Sequence, residues 1–184
     1  MWRSPILVTA AGSLAVTVAQ ARDELRVDGE AHDTRLARYI EASASHVEAV
    51  TGLRLVTQTV DLVATSWGDM GRLPLAPVQS ITSVGYVDPD GASQVLSGAA
   101  YVARLTGLQP GLSLAHGASW PATRLDSDIT LRAVVGYGAA GAQPGPIVSA
   151  ILLMVRALND EGVIDGVRAT VDDLLVNYRT FAVS

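Results

Sequence analysis

Three histidines, His32, His46 and His116, are the side chains best suited to moving a proton or holding a metal near neutral pH, and no two share a ligand spacing such as H-x-x-x-H. His46 sits in a helical pattern beside Val47 and Glu48, where a structural role is the simpler reading. Carboxylates come in pairs at Asp88/Asp90, Asp126/Asp128 and Asp172/Asp173. Neither of the first two pairs lies in a loop with the oxygen count calcium requires, and turn chemistry accounts for Asp88/Asp90. Adjacent residues on a helix point about 100° apart, so Asp172 and Asp173 read as helix-start carboxylates and not as a catalytic dyad. The glycines from Gly136 to Gly145 lack the lysine of a phosphate loop and do not match a dinucleotide fingerprint. No serine has the context of a nucleophile elbow, and there is no cysteine to act as nucleophile, thiolate ligand or disulfide partner. The expectation is a chain with no catalytic, cofactor-binding or metal-binding residue.

Composition agrees with a folded, non-catalytic body. The chain has 184 residues, enough to bury a core without staples, with 49% hydrophobic and 17% charged residues. Every one of its 13 basic residues is arginine, and the net charge of −5 argues against a dedicated nucleic-acid binder. No stretch reaches the ~20 apolar residues needed to cross a bilayer; Ile147 to Val155 comes nearest, contains Ser149 and stops at Arg156.

The elements that would carry these residues can be read in order. Ile6 to Val18 is apolar and precedes a small-x-small signal, Ala19-Gln20-Ala21, which resembles a signal-peptidase site. Pro5, Thr9, Gly12, Ser13 and Thr17 interrupt that run, and Thr17 with Gln20 makes a capping box, so a first strand followed by a first helix is the preferred reading. That helix spans Val18 to Arg26 and ends at Asp28-Gly29. A second runs from an N-cap at Asp33 to Thr51, with Leu36, Ile40, Val47 and Val50 on one face and Gly52 as its stop. Leu55 to Leu62 alternates like a strand. Asp88-Pro89-Asp90-Gly91 predicts a turn joining Thr82–Val87 to Ser93–Leu96. Residues 97–127 read as loop, Ile129 to Tyr137 as a strand, and Pro144 begins a helix apolar around most of its circumference. Thr170-Val171-Asp172-Asp173 reads as a second capping box opening a last short helix after a connection from Gly162 to Ala169. The fold class is α+β: N- and C-terminal helices forming a small bundle, with a central antiparallel β insert and hairpin, in a single domain spanning 1–184. Residues 179–184 form a tail, and it carries the only phenylalanine, Phe181, which suits docking on the chain's own core or on a partner.

Taken together, the ordered segments carry a resemblance. Val18 to Gly29, Tyr39-Ile40-Glu41-Ala42, His46 to Gly52 with Arg54 to Thr59, Arg72 to Val78, Ser80 to Val84, Tyr86 to Gly91, Ser119-Trp120-Pro121, Val135 to Gly138, Pro144 to Leu153 and Val171 to Leu175 with Tyr178-Arg179 resemble the phage head–tail connector (adaptor) family. That family includes the adaptors of gene transfer agents. The sequence departs from it at Arg156 to Glu161, which lacks the family's aromatic-rich end, and at Gly162 to Ala169, which lacks the usual proline.

The resemblance implies a structural subunit of a homo-oligomeric ring, typically twelvefold, beneath the portal at the head–tail junction of a phage-like particle. Its partners would be the portal protein and a downstream stopper or tail terminator, with DNA passing through the channel under weak, non-specific contact. Portal contact would fall on Tyr178, Arg179, Thr180, Phe181, Ala182, Val183 and Ser184, a segment expected to order on meeting its partner. No cofactor and no membrane is implied. A stopper or tail-completion protein, and a small secreted or periplasmic binding module, are the alternatives.

Overall fold

Thr17 and Gln20 close the first helix as their types predict: Thr17 Oγ1 accepts from the Gln20 N–H (3.2 Å), while Gln20 Oε1 accepts from the Thr17 N–H (2.9 Å). The structure, a computed structural model, describes residues 1–160 and 164–180. These divide into two compact units, each assembled from two separate stretches of chain.

The helical unit comprises residues 11–57 and 137–180. Its helices are α1 (Val18–Leu25), α2 (Asp33–Thr51), α3 (Gly145–Asn159) and α4 (Ile164–Leu175). α3 packs against each of the other three, burying Ile147, Ala150, Ile151 and Val155 among residues that include Leu36, Ile40, Val47, Val171 and Leu175. Three boundaries differ from expectation. α1 stops at Arg26, which takes the left-handed conformation (φ 54°) and donates its N–H to Asp23 O; Asp28-Gly29 plays no part in the stop. α4 begins before Thr170, so the Thr170–Asp173 pattern lies within the helix and caps nothing. Asp33 is the first residue of α2 and not its cap; His32 holds that position without a side-chain bond. The Ala19-Gln20-Ala21 triplet lies in the first half of α1.

The β unit comprises residues 1–10 and 58–136. Its strands are β1 (Ile6–Thr9), β2 (Gln58–Ala64), β3 (Val78–Val87), β4 (Ser93–Val95), β5 (Tyr101–Arg104), β6 (Gly111–Leu114) and β7 (Ile129–Val135). Five of them form an antiparallel sheet in the order β1-β2-β7-β3-β4, so the last strand in sequence is the middle one in space. Val60, Leu62, Val84, Ile129, Leu131, Ala133 and Val135 point to one face and meet Met70, Leu73, Leu75 and Leu112 there. Partly buried Trp2, Trp67 and Trp120 pack against that core. Trp67 and Trp120 stack with centroids 4.8 Å apart, and Tyr86 meets Trp67 edge-on at 5.6 Å. On the other face Arg132 makes a bidentate pair with Asp61 on the neighbouring strand (2.7 and 2.8 Å).

The stretch read as loop, residues 97–127, contains a two-stranded ribbon, β5–β6. Its Gly111 lies against the backbone of Gly71, where a Cβ would collide with the Gly71 carbonyl. The predicted 55–62 strand starts later, at Gln58: Leu55 and Val56 belong to the helical unit, where the Leu55 carbonyl accepts from Tyr137 N–H and Gln143 Nε2. The turn after β3 follows its sequence. Asp88 Oδ1 accepts from Asp90 N–H (3.1 Å) and Ala92 N–H (2.9 Å), and Gln94 Nε2 donates to Oδ2. No helix among the described residues is long and apolar enough to cross a membrane.

Candidate functional site

The segment singled out at the C-terminus is partly tied down by its own unit. After α4, Val176–Tyr178 forms a single 3-10 turn. Burial pushes the Tyr137 hydroxyl above its ordinary pKa, and the nearby Tyr178 phenol adds to the shift. Arg179 Nη2 donates to Asp172 Oδ1 one helical turn or more behind it (3.0 Å), and Thr180 donates to the carbonyl of Thr51 at the end of α2. Arg179 and Thr180 therefore have intramolecular partners, which an unpatterned tail did not suggest. Phe181, Ala182, Val183 and Ser184 lie outside the described residues.

The other candidate groups do not converge. No group of three or more His, Asp or Glu among the described residues could hold a metal ion. Asp128 pairs with Arg3 (2.8 Å), and Asp172 is engaged by Arg179. Asp88 is occupied by its turn, whose hydrogen bonds, led by that from Gln94, hold its carboxyl below the usual carboxylate pKa. A polar cleft of about 480 Å³ in the helical unit is lined by Asp23, Glu24, Leu25, Arg26, Arg156 and Asp160, and its charges largely answer one another, as in the Arg156–Asp160 pair (3.7 Å).

What the sequence reading missed is on the surface of the β unit. All four residues of the edge strand β1 are exposed, Ile6 and Leu7 at 56% and 57%. β4, the opposite edge, is exposed throughout, with Val95 at 71%. A run of three apolar residues after Pro5, without polar alternation, was the available signal: a strand apolar in succession yet short is either doubly covered or an edge awaiting cover.

No family model matches the chain, and no curated protein sequence does. Among solved structures it is similar, nearly end to end, to chains of gene transfer agent (GTA) assemblies. One is from the neck of an empty GTA particle computed with C6 symmetry: 24% identity, TM-score 0.80, covering 99% of this chain and 98% of that one. Another is from the neck of a native GTA particle computed with C12 symmetry: 23% identity, TM-score 0.78, with the same coverage of 99% and 98%. These two likenesses define the class of fold, an α+β chain of the kind found in those necks. The third, from the virion of a native gene transfer agent particle, reaches 28% identity with TM-score 0.78, again covering 99% and 98%.

Proposed function

We propose that this chain is a structural, non-enzymatic subunit of the neck of a phage-like or gene-transfer-agent particle, and within it the head–tail adaptor. The observation that carries the reading is the likeness to the gene transfer agent virion chain, 28% identical over 99% of this chain and 98% of that one. The subunit closes into a ring with copies of itself, as the symmetric necks that share its fold support. It sits below the portal, extends the DNA channel and presents its far side to a stopper or tail terminator. Residues Tyr178 to Ser184 supply the portal contact: Arg179 and Thr180 fix the exit of the chain, and Phe181 is the apolar anchor beyond them. At −5 per subunit the ring does not grip DNA, and its contacts are weak and salt-sensitive, which suits a passage through which DNA slides.

Electron microscopy of the purified protein, alone and mixed with the portal of the same particle, tests this. Closed rings that cap the portal are the expected result. Strict monomers in both conditions would overturn the ring, and rings that bind a portal–adaptor complex but not the bare portal would make the chain a stopper.

A further inference from the structure

Between Asp90 and Asp126 the chain carries no carboxylate, although 18 acidic residues in 184 would put about three in a stretch of that length. The only formal charges there are Arg104 and Arg124. Arg124 is two residues from Asp126 and donates its N–H to the carbonyl of Val87, next to Asp88, so it stands between carboxylates. Arg104 ends β5, exposed and without an ion-pair partner among the described residues. Asp69, on the 3-10 turn Trp67–Gly71 that packs against β6, is taken up by the N–H and hydroxyl of Ser66. The acidity of the chain lies elsewhere: the stretches of the helical unit carry twelve carboxylates against eight arginines, those of the β unit six against five.

Screening makes such local differences decisive. At physiological salt a charge is felt over about 8 Å, so a duplex in a channel responds to the surface it slides past and not to the whole subunit. A wall that bears carboxylates repels it, and a wall without them does not. The β5–β6 ribbon offers the second kind of wall. Val102, Ala103, Arg104, Thr106, Gly107 and Gln109 are exposed on it. Among the described residues β5 has no strand on its outer side, which leaves backbone N–H groups free. Arginine, hydroxyl, amide and backbone N–H groups are the donors that meet phosphate oxygens without reading sequence. A protein partner suits the ribbon less well: Val102 and Leu114 belong to adjacent cross-strand pairs, so they point to opposite faces and form no common apolar patch.

We propose that the ring turns the β5–β6 ribbon towards the duplex, and that Arg104 is its contact with the phosphate backbone. The inference deepens the channel reading above and rests on it. Closure repeats a single arginine around the channel, so the DNA meets a circle of isolated positive charges. Each arginine engaged releases about one counterion, enough to keep the duplex off the acidic surfaces and too little to hold it in place.

Binding of a short fluorescent duplex to assembled rings, followed by anisotropy across a salt series, tests this. Arg104→Glu should weaken binding at low salt on the order of tenfold or more, with thermal unfolding unchanged. Arg104→Lys should keep most of the affinity, since the contact is charge and not base recognition. The control is Arg38→Glu, the same change of charge at an exposed arginine of α2 without an ion pair, and it should leave binding nearly as it was. Equal losses from the two glutamate variants would mean that net charge governs and the ribbon does not. Wild-type rings that bind no duplex at low salt, or Arg104→Glu rings that bind as well as the parent, would also overturn the contact and leave the ring standing. Failure of Arg104→Glu to close into rings would make the ribbon a contact between copies and overturn the proposal. No rings from the wild-type protein, alone or with the portal, would overturn both readings.

Discussion

Thr180 donates both its backbone N–H (2.7 Å) and its hydroxyl (2.8 Å) to a single acceptor, the carbonyl of Thr51. Thr51 is the last residue of α2, and its carbonyl is one of those that the helix leaves without an internal partner. Gly52, next in the chain, takes the left-handed conformation (φ 72°) and lets Thr180 come so close that a Cβ would collide with its Oγ1. Gly52→Ala is therefore predicted to destabilise by about 2 kcal/mol, combining left-handed strain with the collision. Thr180→Ala should cost about 1 kcal/mol through the lost hydroxyl bond. Because it also clears the space at Gly52, the double variant should be more stable than the sum of the two losses allows. Strict additivity in chemical unfolding would mean that the two sites do not meet.

At the other end of the same unit, Thr17→Ala removes the hydroxyl that accepts from Gln20 N–H and leaves Gln20 with half a capping box. The predicted loss is about 1 kcal/mol in chemical unfolding, and Thr17→Ser or Thr17→Asp should recover most of it. Equal stability of the alanine and serine variants would remove the cap from the account of α1.

In the β unit, the hydrogen bonds from Arg132 hold the Asp61 carboxyl below its ordinary value of 3.8, against the opposing pull of partial burial. The unfolded chain therefore takes up a proton at Asp61 before the folded chain does. The pair's stabilisation is full above about pH 4 and drains away as the pH falls through the lowered folded value. Asp61→Asn should be less stable than the parent at neutral pH, and the gap should close on acidification below that range. A gap that stayed constant into strong acid would show that charge is not its origin.

Phe181→Ala tests the proposed portal segment. If the ring fills a portal pocket, assembly should weaken by on the order of 2 kcal/mol while thermal unfolding stays put. Lowered unfolding temperature with normal portal binding would mean that the ring packs on its own subunit.

The elements read correctly from sequence are those whose cause is local. Thr17 with Gln20, Gly52 after α2, and Asp88 to Gly91 each specify their geometry within a few residues, and each is found as expected. The β-branched and apolar run from Ile129 to Tyr137 gave a strand, which ends at Val135, but its place at the centre of the sheet depends on partners 45 to 77 residues away, which no window contains. The β5–β6 ribbon hid because its strands are four residues long and set among glycines. Thr170 misled for a physical reason: threonine before two aspartates has cap chemistry wherever it stands, but here the chain is already helical. The candidate portal segment came from the family resemblance and from a lone phenylalanine in a tail without pattern, and the bonds of Arg179 and Thr180 reach residues whose sequence gives no hint of them.

Each unit draws on two distant stretches, and the order in which those stretches are synthesised is unequal for the two. Every strand among the described residues precedes Gly136, so all five strands of the sheet have left the ribosome before α3 is made. α1 and α2 emerge early with Leu36, Ile40 and Val47 uncovered, and must wait some ninety residues for the helix that seals them. The sheet can thus be complete while its helical companion is still half made. In that interval the nascent chain already carries both of its bare strand margins, so premature pairing between chains on neighbouring ribosomes is a hazard that the late helices do nothing to prevent.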